Sequence, residues 1–258
     1  MTHRWDAATY DRVADPMTGW GAEVLDRLPL AGSERVLDAG CGSGRVTELL
    51  CERLPDGRVV ALDASAAMIE QARSRLARFG DQVIFTVADL GAPLPLEHRV
   101  DAIVSTATFH WVPDHDAMFA NLVAVLRPGG RLAAQCGGAG NIARIQAILA
   151  TIGDGWLGPV HFETAEATAD RLHVAGFTDV VCRLTPRPTP FDAGDAFETY
   201  LATVVLGAHL ERLPTGDRAG FVREVATRLD GPWIDYVRLD IDAVRSAEPA
   251  DDRALVEG

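Results

Sequence analysis

The chain contains no lysine. Its 24 basic side chains besides histidine are all arginine, set against 37 acidic ones, for a net charge of −13 over 258 residues. The missing amine excludes Schiff-base catalysis and the phosphate-cradling lysine of P-loop proteins. The shortage of positive charge argues against a nucleic-acid partner, which needs a basic surface to displace counterions. Cysteine is sparse as well. Cys41, Cys51, Cys136 and Cys182 form no CxxC pair and no Cys/His cluster at zinc spacing, so neither a disulfide framework nor a metal site is expected. No apolar run approaches the roughly 20 residues that cross a bilayer. The first fifteen residues lack the basic-then-apolar order of a signal peptide. Together these absences point to a cytoplasmic protein with no membrane partner. Hydrophobic residues make up 48% of the chain, enough for a full core.

The first half alternates strand and helix signals. Short apolar runs predict strands over 35–39, 57–62, 83–87, 100–105 and 131–136. Helical spacing predicts helices over 44–53, 65–79 and 116–126, the last stopped by Arg127-Pro128-Gly129-Gly130. Runs apolar on both faces, alternating with helices, imply a parallel sheet covered on both sides. The second half is more helical, with helices over 141–151, 164–175, 193–212 and 217–229. Strands are expected over 177–184 and 233–244, the former followed by the proline-punctuated stretch 185–190. The expectation is one α/β domain over 1–258, a doubly wound, seven-stranded, mostly parallel sheet with its last strand antiparallel. Residues 1–30 form a helical segment, and 138–163 and 190–231 are helical cap insertions over the carboxyl ends of the strands, where open α/β sheets bind ligands. The acidic tail 248–258 is expected to fray.

The informative stretch is Val36-Leu37-Asp38-Ala39-Gly40-Cys41-Gly42-Ser43-Gly44-Arg45. A strand runs into a glycine-rich turn and then a helix, whose N-terminus offers free N–H groups. The nicotinamide fingerprint G-x-G-x-x-G would need glycine where Arg45 stands. Asp63 ends the next strand, where a carboxylate accepts ribose hydroxyls. Ala88-Asp89-Leu90 follows the third strand, placing a further carboxylate within reach of an adenine amine.

These motifs, with Leu62-Asp63-Ala64-Ser65, Met68 and Leu126-Arg127-Pro128-Gly129-Gly130 in order, resemble the class I S-adenosylmethionine-dependent methyltransferases over about residues 36–135. The stretch Ser105-Thr106-Ala107-Thr108-Phe109-His110-Trp111-Val112-Pro113-Asp114-His115 is similar to the trans-aconitate methyltransferase group, whose members esterify carboxylates. His110 stands where that group often has Gln. Trp5 to Tyr10 match its N-terminal segment. The resemblance implies S-adenosylmethionine as cofactor and a small-molecule acceptor. It places Gly40, Cys41 and Gly42 along the methionine moiety, with Asp38 near its amino group. Asp63 holds the ribose, Met68 lies against the adenine, Asp89 binds the adenine amine and Leu90 packs beside it. Ala64 and Thr106 complete the cofactor set.

His110 and Trp111 are the expected acceptor-side pair. His110 would hydrogen-bond a carboxylate or act as base toward a hydroxyl. O-, N- or C-methylation of a specialised metabolite is the alternative chemistry, and a non-catalytic cofactor-binding protein is the alternative class. Cys41 reads as a small side chain beside the cofactor rather than a redox centre. His115 reads as a solvated turn residue. Tyr10 and Trp20 are candidates to close over the cofactor. Arg183, Arg187 and Arg238 are candidates to clamp an acidic substrate. The apolar stretch 200–210 reads as a helix packed on the sheet edge, or as a pocket wall that would make the acceptor partly apolar, or as a dimer contact. The oligomeric state is expected to be a monomer or a homodimer.

Overall fold

The computed structural model describes residues 15–247. The motif match at Trp5 to Tyr10 and the acidic tail 248–258 lie outside the described residues. The chain order is α1 (Asp15–Asp26), β1 (Arg35–Ala39), α2 (Arg45–Arg53), β2 (Arg58–Asp63), α3 (Ala66–Arg75), β3 (Val83–Val87), β4 (Val100–Thr106), α4 (His115–Val125) and β5 (Leu126–Gly137). There follow α5 (Ala143–Leu149), α6 (Ala165–Ala175), β6 (Phe177–Pro190), α7 (Asp195–Tyr200), a π-helical turn (Leu201–Val205), α8 (Gly207–Glu211), α9 (Thr215–Arg228) and β7 (Trp233–Arg245).

The strands form one seven-stranded sheet in the order β3-β2-β1-β4-β5-β7-β6. β1 through β5 pair in parallel, and β7 runs antiparallel between β5 and β6. The inner strands read as continuous apolar runs because both of their faces are covered. Alternate side chains separate the two layers: Val36, Val59 and Val104 join a cluster with Val24, Leu25 and Leu50, whereas Leu37, Ile103 and Leu132 join one with Phe119 and Leu122. The strand order reverses between β1 and β4. Chains leaving adjacent strands there diverge to opposite faces, opening a crevice at the carboxyl ends. A third cluster joins the second half of the chain to β7. It packs Ile145 and Leu149 against Phe197, Leu201 and Val225, with Ile234 and Tyr236 beneath them.

The seven-stranded, mostly parallel sheet expected from the sequence is present. Four elements differ from expectation. The strand expected over 131–136 begins at Leu126, which pairs with Val100 at the start of β4. The strand expected to stop at Leu184 continues through Pro186, Pro188 and Pro190, each paired in register with β7. β6 is the outermost strand, and prolines at every second position all turn their missing N–H the same way. That way is the open edge, where no ladder bond is lost. The helix expected over 193–212 is broken by the π-helical turn, in a stretch where Thr203-Val204-Val205 are all β-branched and so poor helix formers. The helix expected to reach residue 79 ends at Arg75, followed by a 3-10 segment (Ala77–Gln82) that turns the chain into β3.

Ile103 lies in the middle of β4 with no exposed surface. Ile103→Ala should lower the unfolding free energy by about 2–5 kcal/mol, read as a reduced urea midpoint at unchanged m-value. A loss below about 1 kcal/mol would mean that the sheet centre is loosely packed there.

Candidate active site

The site begins with the turn after β1. Gly40 has φ 84°, and a Cβ there would sit 2.2 Å from the Thr108 side chain, so only glycine fits both the backbone and the space. The Gly40 and Cys41 N–H groups donate to the Leu62 carbonyl at 2.8 and 2.9 Å, tying the turn to the end of β2. Asp63 secures it further. One carboxylate oxygen accepts the Gly42 N–H at 2.9 Å and the other accepts the Ser65 N–H at 2.8 Å. Burial raises the Asp63 pKa, and these two hydrogen bonds oppose the rise.

These elements line a cavity of about 330 Å³, within the range of roughly 300–1,000 Å³ typical of small-molecule sites. Gly40, Cys41, Gly42, Asp63, Ala64 and Met68 line one part of it, and Asp89, Leu90, Thr106 and Trp111 another. Asp89 stands exposed at the rim, accepting the Gly91 N–H at 2.9 Å. Met68 and Leu90 are buried. Burial, with the Asp38 and Asp63 charges adding to it, pushes the Cys41 thiol well above its ordinary pKa, which keeps it protonated and unreactive.

Asp38 is not among the lining residues. It lies beneath the turn, 1% exposed, where one carboxylate oxygen accepts the Thr47 hydroxyl at 2.6 Å and the other is a buried acceptor without a partner. Burial pushes its pKa up to about 7, the Asp63 charge adds to the rise, and the Thr47 hydrogen bond opposes it.

A second, inner chamber of about 60 Å³ adjoins the first, sharing Ala107, Trp111, Pro159 and Arg238 with it. His110 lines this chamber rather than the main cavity. Its Nδ1 accepts the Gly137 N–H at 3.3 Å, and its ring packs 5.3 Å from Trp111 and 5.7 Å from Phe162, centroid to centroid. Burial, with the Arg238 and His115 charges adding, drives the His110 pKa well below its ordinary value, so the imidazole is neutral. His115 is not the solvated residue its position after Pro113-Asp114 implied. It is 7% exposed, and its Nε2 meets the Phe109 carbonyl at 3.0 Å. Asp114 caps α4, and the first helical turn folds back against the 3-10 segment Phe109–Trp111 that carries His110.

Of the three candidate arginines only Arg238 reaches the site. Arg183 is exposed on β6, and Arg187 pairs with Glu23 at 2.7 Å. Arg238 is 3% exposed; its guanidinium lies 5.0 Å from the Trp20 ring, and its Nε donates to Gln135 at 3.4 Å. Gln135 was not singled out from the sequence. It donates in turn to Asp240 at 2.8 Å, and Asp240 also accepts from Arg27 at 2.7 Å and Thr185 at 3.0 Å. Burial raises the Asp240 pKa, but the three hydrogen bonds outweigh it and hold the carboxyl below its ordinary value. The signal was available: Gln135 is the one amide in an otherwise apolar run at the carboxyl end of a central strand, a position that selects for a hydrogen-bonded polar group. Among the described residues no cluster of His, Cys, Asp and Glu could hold a metal, and no helix is long and apolar enough to cross a membrane.

Comparison with known proteins accords with this geometry. The family described as "Methyltransferase domain" matches residues 36–130. The trans-aconitate 2-methyltransferase of Variovorax paradoxus is 31% identical over 240 residues, covering 88% of this chain and 89% of its own length. Among solved structures, a putative sarcosine dimethylglycine methyltransferase from Galdieria sulphuraria superposes with a TM-score of 0.62 at 16% identity, over 96% of this chain and 93% of its own. A phosphoethanolamine N-methyltransferase 2 from Haemonchus contortus, in complex with phosphomonomethylethanolamine and S-adenosylhomocysteine, gives 0.60 at 19% identity, over 89% of this chain and 53% of its own. The fold and the glycine turn define a Rossmann-like methyltransferase. The chain belongs to the trans-aconitate methyltransferase group of the class I S-adenosylmethionine-dependent methyltransferases.

The buried Asp38 carboxyl makes a prediction of definite sign. Below its ordinary value of 3.8 it is protonated in both folded and unfolded chains, and between 3.8 and about 7 only the unfolded chain ionises it. Stability from this group therefore falls as pH rises across that window and is level above it. Asp38→Asn should become progressively more stable than wild type from about pH 4 to about pH 7, to a difference on the order of 4 kcal/mol. Urea unfolding of the ligand-free protein at each pH reads this directly. A difference independent of pH would mean that Asp38 ionises normally in the fold.

Proposed function

We propose that the enzyme transfers a methyl group from S-adenosylmethionine to a carboxylate oxygen of a small molecule, giving a methyl ester. The observation that carries the reading is the buried guanidinium of Arg238 at the junction of the two cavities. A buried cation there favours an anionic acceptor. The likeness along most of its length to the trans-aconitate 2-methyltransferase of V. paradoxus supports the same chemistry.

The residues present fit the cofactor. The main cavity has the right scale, a Cβ at Gly42 would meet nothing within 4 Å, and Asp38 offers an unpartnered buried oxygen beneath the turn. Gly40, Cys41 and Gly42 would take the methionine moiety, with Asp38 acting from below on its ammonium end. Asp63 would accept the ribose hydroxyls through the lone pairs its two backbone bonds leave free. Ala64, Met68 and Leu90 would pack against the adenine, Asp89 would accept its amine, and Thr106 would close the wall beside the reacting centre. The bound cofactor supplies an already activated methyl on a sulfonium, so the protein's task is orientation and exclusion of water.

A carboxylate acceptor is ionised at neutral pH and needs no base. Arg238 would hold and orient it. His110 is neutral, and with Nδ1 accepting from Gly137 its proton sits on Nε2, which makes it a hydrogen-bond donor rather than a base. Trp111 lines both cavities and would keep water from the space between them. The second reading, methylation of a hydroxyl with His110 as base, needs the opposite tautomer and a higher pKa. A protein that binds the cofactor without catalysis would have no use for the inner chamber.

The test is transfer of labelled methyl from S-adenosylmethionine to a panel of carboxylic acids, phenols, amines and alcohols. Label released from the acids by mild base is the expected result; base-stable label on another class would overturn the ester reading. With the true acceptor and S-adenosylmethionine held saturating at every pH, so that Asp38 is already paired with the bound ammonium, kcat/KM for the acceptor should be level from about pH 6 to 8, because no acceptor-side group need lose a proton. A rise through that range would reinstate His110 as a base. Arg238→Met should lower kcat/KM by about 30-fold or more, while S-adenosylhomocysteine binding by the same variant reports whether the fold is intact.

A further inference from the structure

We infer that the acceptor carries one carboxylate on a short apolar body, and is not a polycarboxylate. The inference rests on the ester reading above and extends it to the substrate class. Past Arg238, the inner chamber is walled by Ile142, Leu149, Val160, Phe162, Val204 and Val205. Among the described residues its lining contains no Asp or Glu and no arginine besides Arg238. The two histidines that line it bring no charge, since burial lowers the pKa of both His110 and His209.

Several of the chamber's other polar groups are already engaged, though His209 Nδ1 is buried without a partner. The Asn141 side-chain oxygen accepts the Val237 N–H at 2.9 Å. The Tyr236 hydroxyl meets that of Tyr200 at 2.8 Å, and His209 Nε2 meets the Trp156 carbonyl at 3.0 Å. A second carboxylate in this space would be stripped of water with no second countercharge among the described residues, an arrangement buried sites avoid. An alkyl or aryl group would be stabilised there instead by burial.

The backbone around the chamber is held in uncommon conformations. Among the described residues only Ala107, Ile142 and Asp179 have positive φ without being glycine, and Ala107 (φ 56°) and Ile142 (φ 51°) both line this chamber. The π-helical turn contributes Val204 and Val205 to the same wall. Such departures persist where the surrounding structure over-determines them, and they gather at functional sites. The volume limits the body. At about 10–15 Å³ for each water-sized group, the roughly 60 Å³ available admits a short branched chain or a small ring.

The experiment compares pentanoate, 3-methylbutanoate and phenylacetate with citrate and trans-aconitate. Two readouts are taken: initial rates of ester formation with labelled S-adenosylmethionine, and calorimetric binding to the protein loaded with S-adenosylhomocysteine. At least one monoacid should show a kcat/KM about tenfold or more above either polyacid, with binding in the same order. Val205→Phe, which narrows the chamber, should cut the rate with that monoacid about tenfold or more. If that variant fails to bind S-adenosylhomocysteine, Ala208→Val narrows the same wall with a smaller change. Base-labile ester formed preferentially on citrate or trans-aconitate would overturn the substrate class and leave carboxylate methylation standing. Base-stable methylation of another compound class would overturn the ester reading itself. An absence of both turnover and binding for every acid would overturn both.

Discussion

The grip of the Asp63 carboxylate on two backbone N–H groups is the interaction from which the site is built. One oxygen holds Gly42, in the turn that leaves β1, and the other holds Ser65, at the cap of α3. The two connections on one side of the strand-order reversal are thereby locked together. The turn is pulled over the end of β2, where its N–H groups at 40 and 41 also meet the Leu62 carbonyl. Without that grip the glycines would have many conformations to choose from. With it, the turn has one, and the cavity's floor is fixed before any ligand arrives. The cost is a carboxylate held in a largely buried place, which its two charge-assisted hydrogen bonds offset only in part.

The opposite wall is organised by a second carboxylate. Asp240 on β7 gathers Arg27 from the turn after α1, Gln135 from β5 and Thr185 from β6. These come from the turn after a helix and from both neighbouring strands, so the antiparallel strand is pinned where it joins the parallel part of the sheet. Gln135, fixed by Asp240, presents its carbonyl to Arg238, and the Trp20 ring lies against the same guanidinium. The arginine at the centre of the proposed chemistry thus depends on a chain of contacts that reaches the far side of the sheet. A long cation with several rotatable bonds becomes a precise feature only through such support.

The comparison of sequence with structure separates along the same line. The glycine turn and most of the lining of the main cavity could be read from the chain because their residues are close in sequence and their signals are local. Glycines mark the turn, and acidic residues mark the ends of β2 and β3. Of that group the structure displaces only Asp38, which lies under the turn instead of in the cavity. Its placement is decided by the pleat: in β1 successive side chains face opposite layers, and the glycines that follow turn the chain away above it. The acceptor half was read poorly. Three arginines looked equivalent, His115 looked solvated and Gln135 drew no notice. Two of these fates depend on pairing partners far away in the chain, Asp240 for Gln135 and Glu23 for Arg187, and the third on the fold-back of the chain that brings the Phe109 carbonyl to His115.

By itself the sequence determined the alternating layers, the parallel sheet, the glycine turn and the membership of a methyltransferase family, because each is written in short-range periodicity or in motifs of fixed spacing. The tertiary structure decided which arginine is buried, how a proline-rich stretch continues as an edge strand, where a helix breaks into a π turn, and what chamber those pieces enclose. Those outcomes depend on packing between elements tens to more than a hundred residues apart, and no local pattern carries the information for contacts of that range.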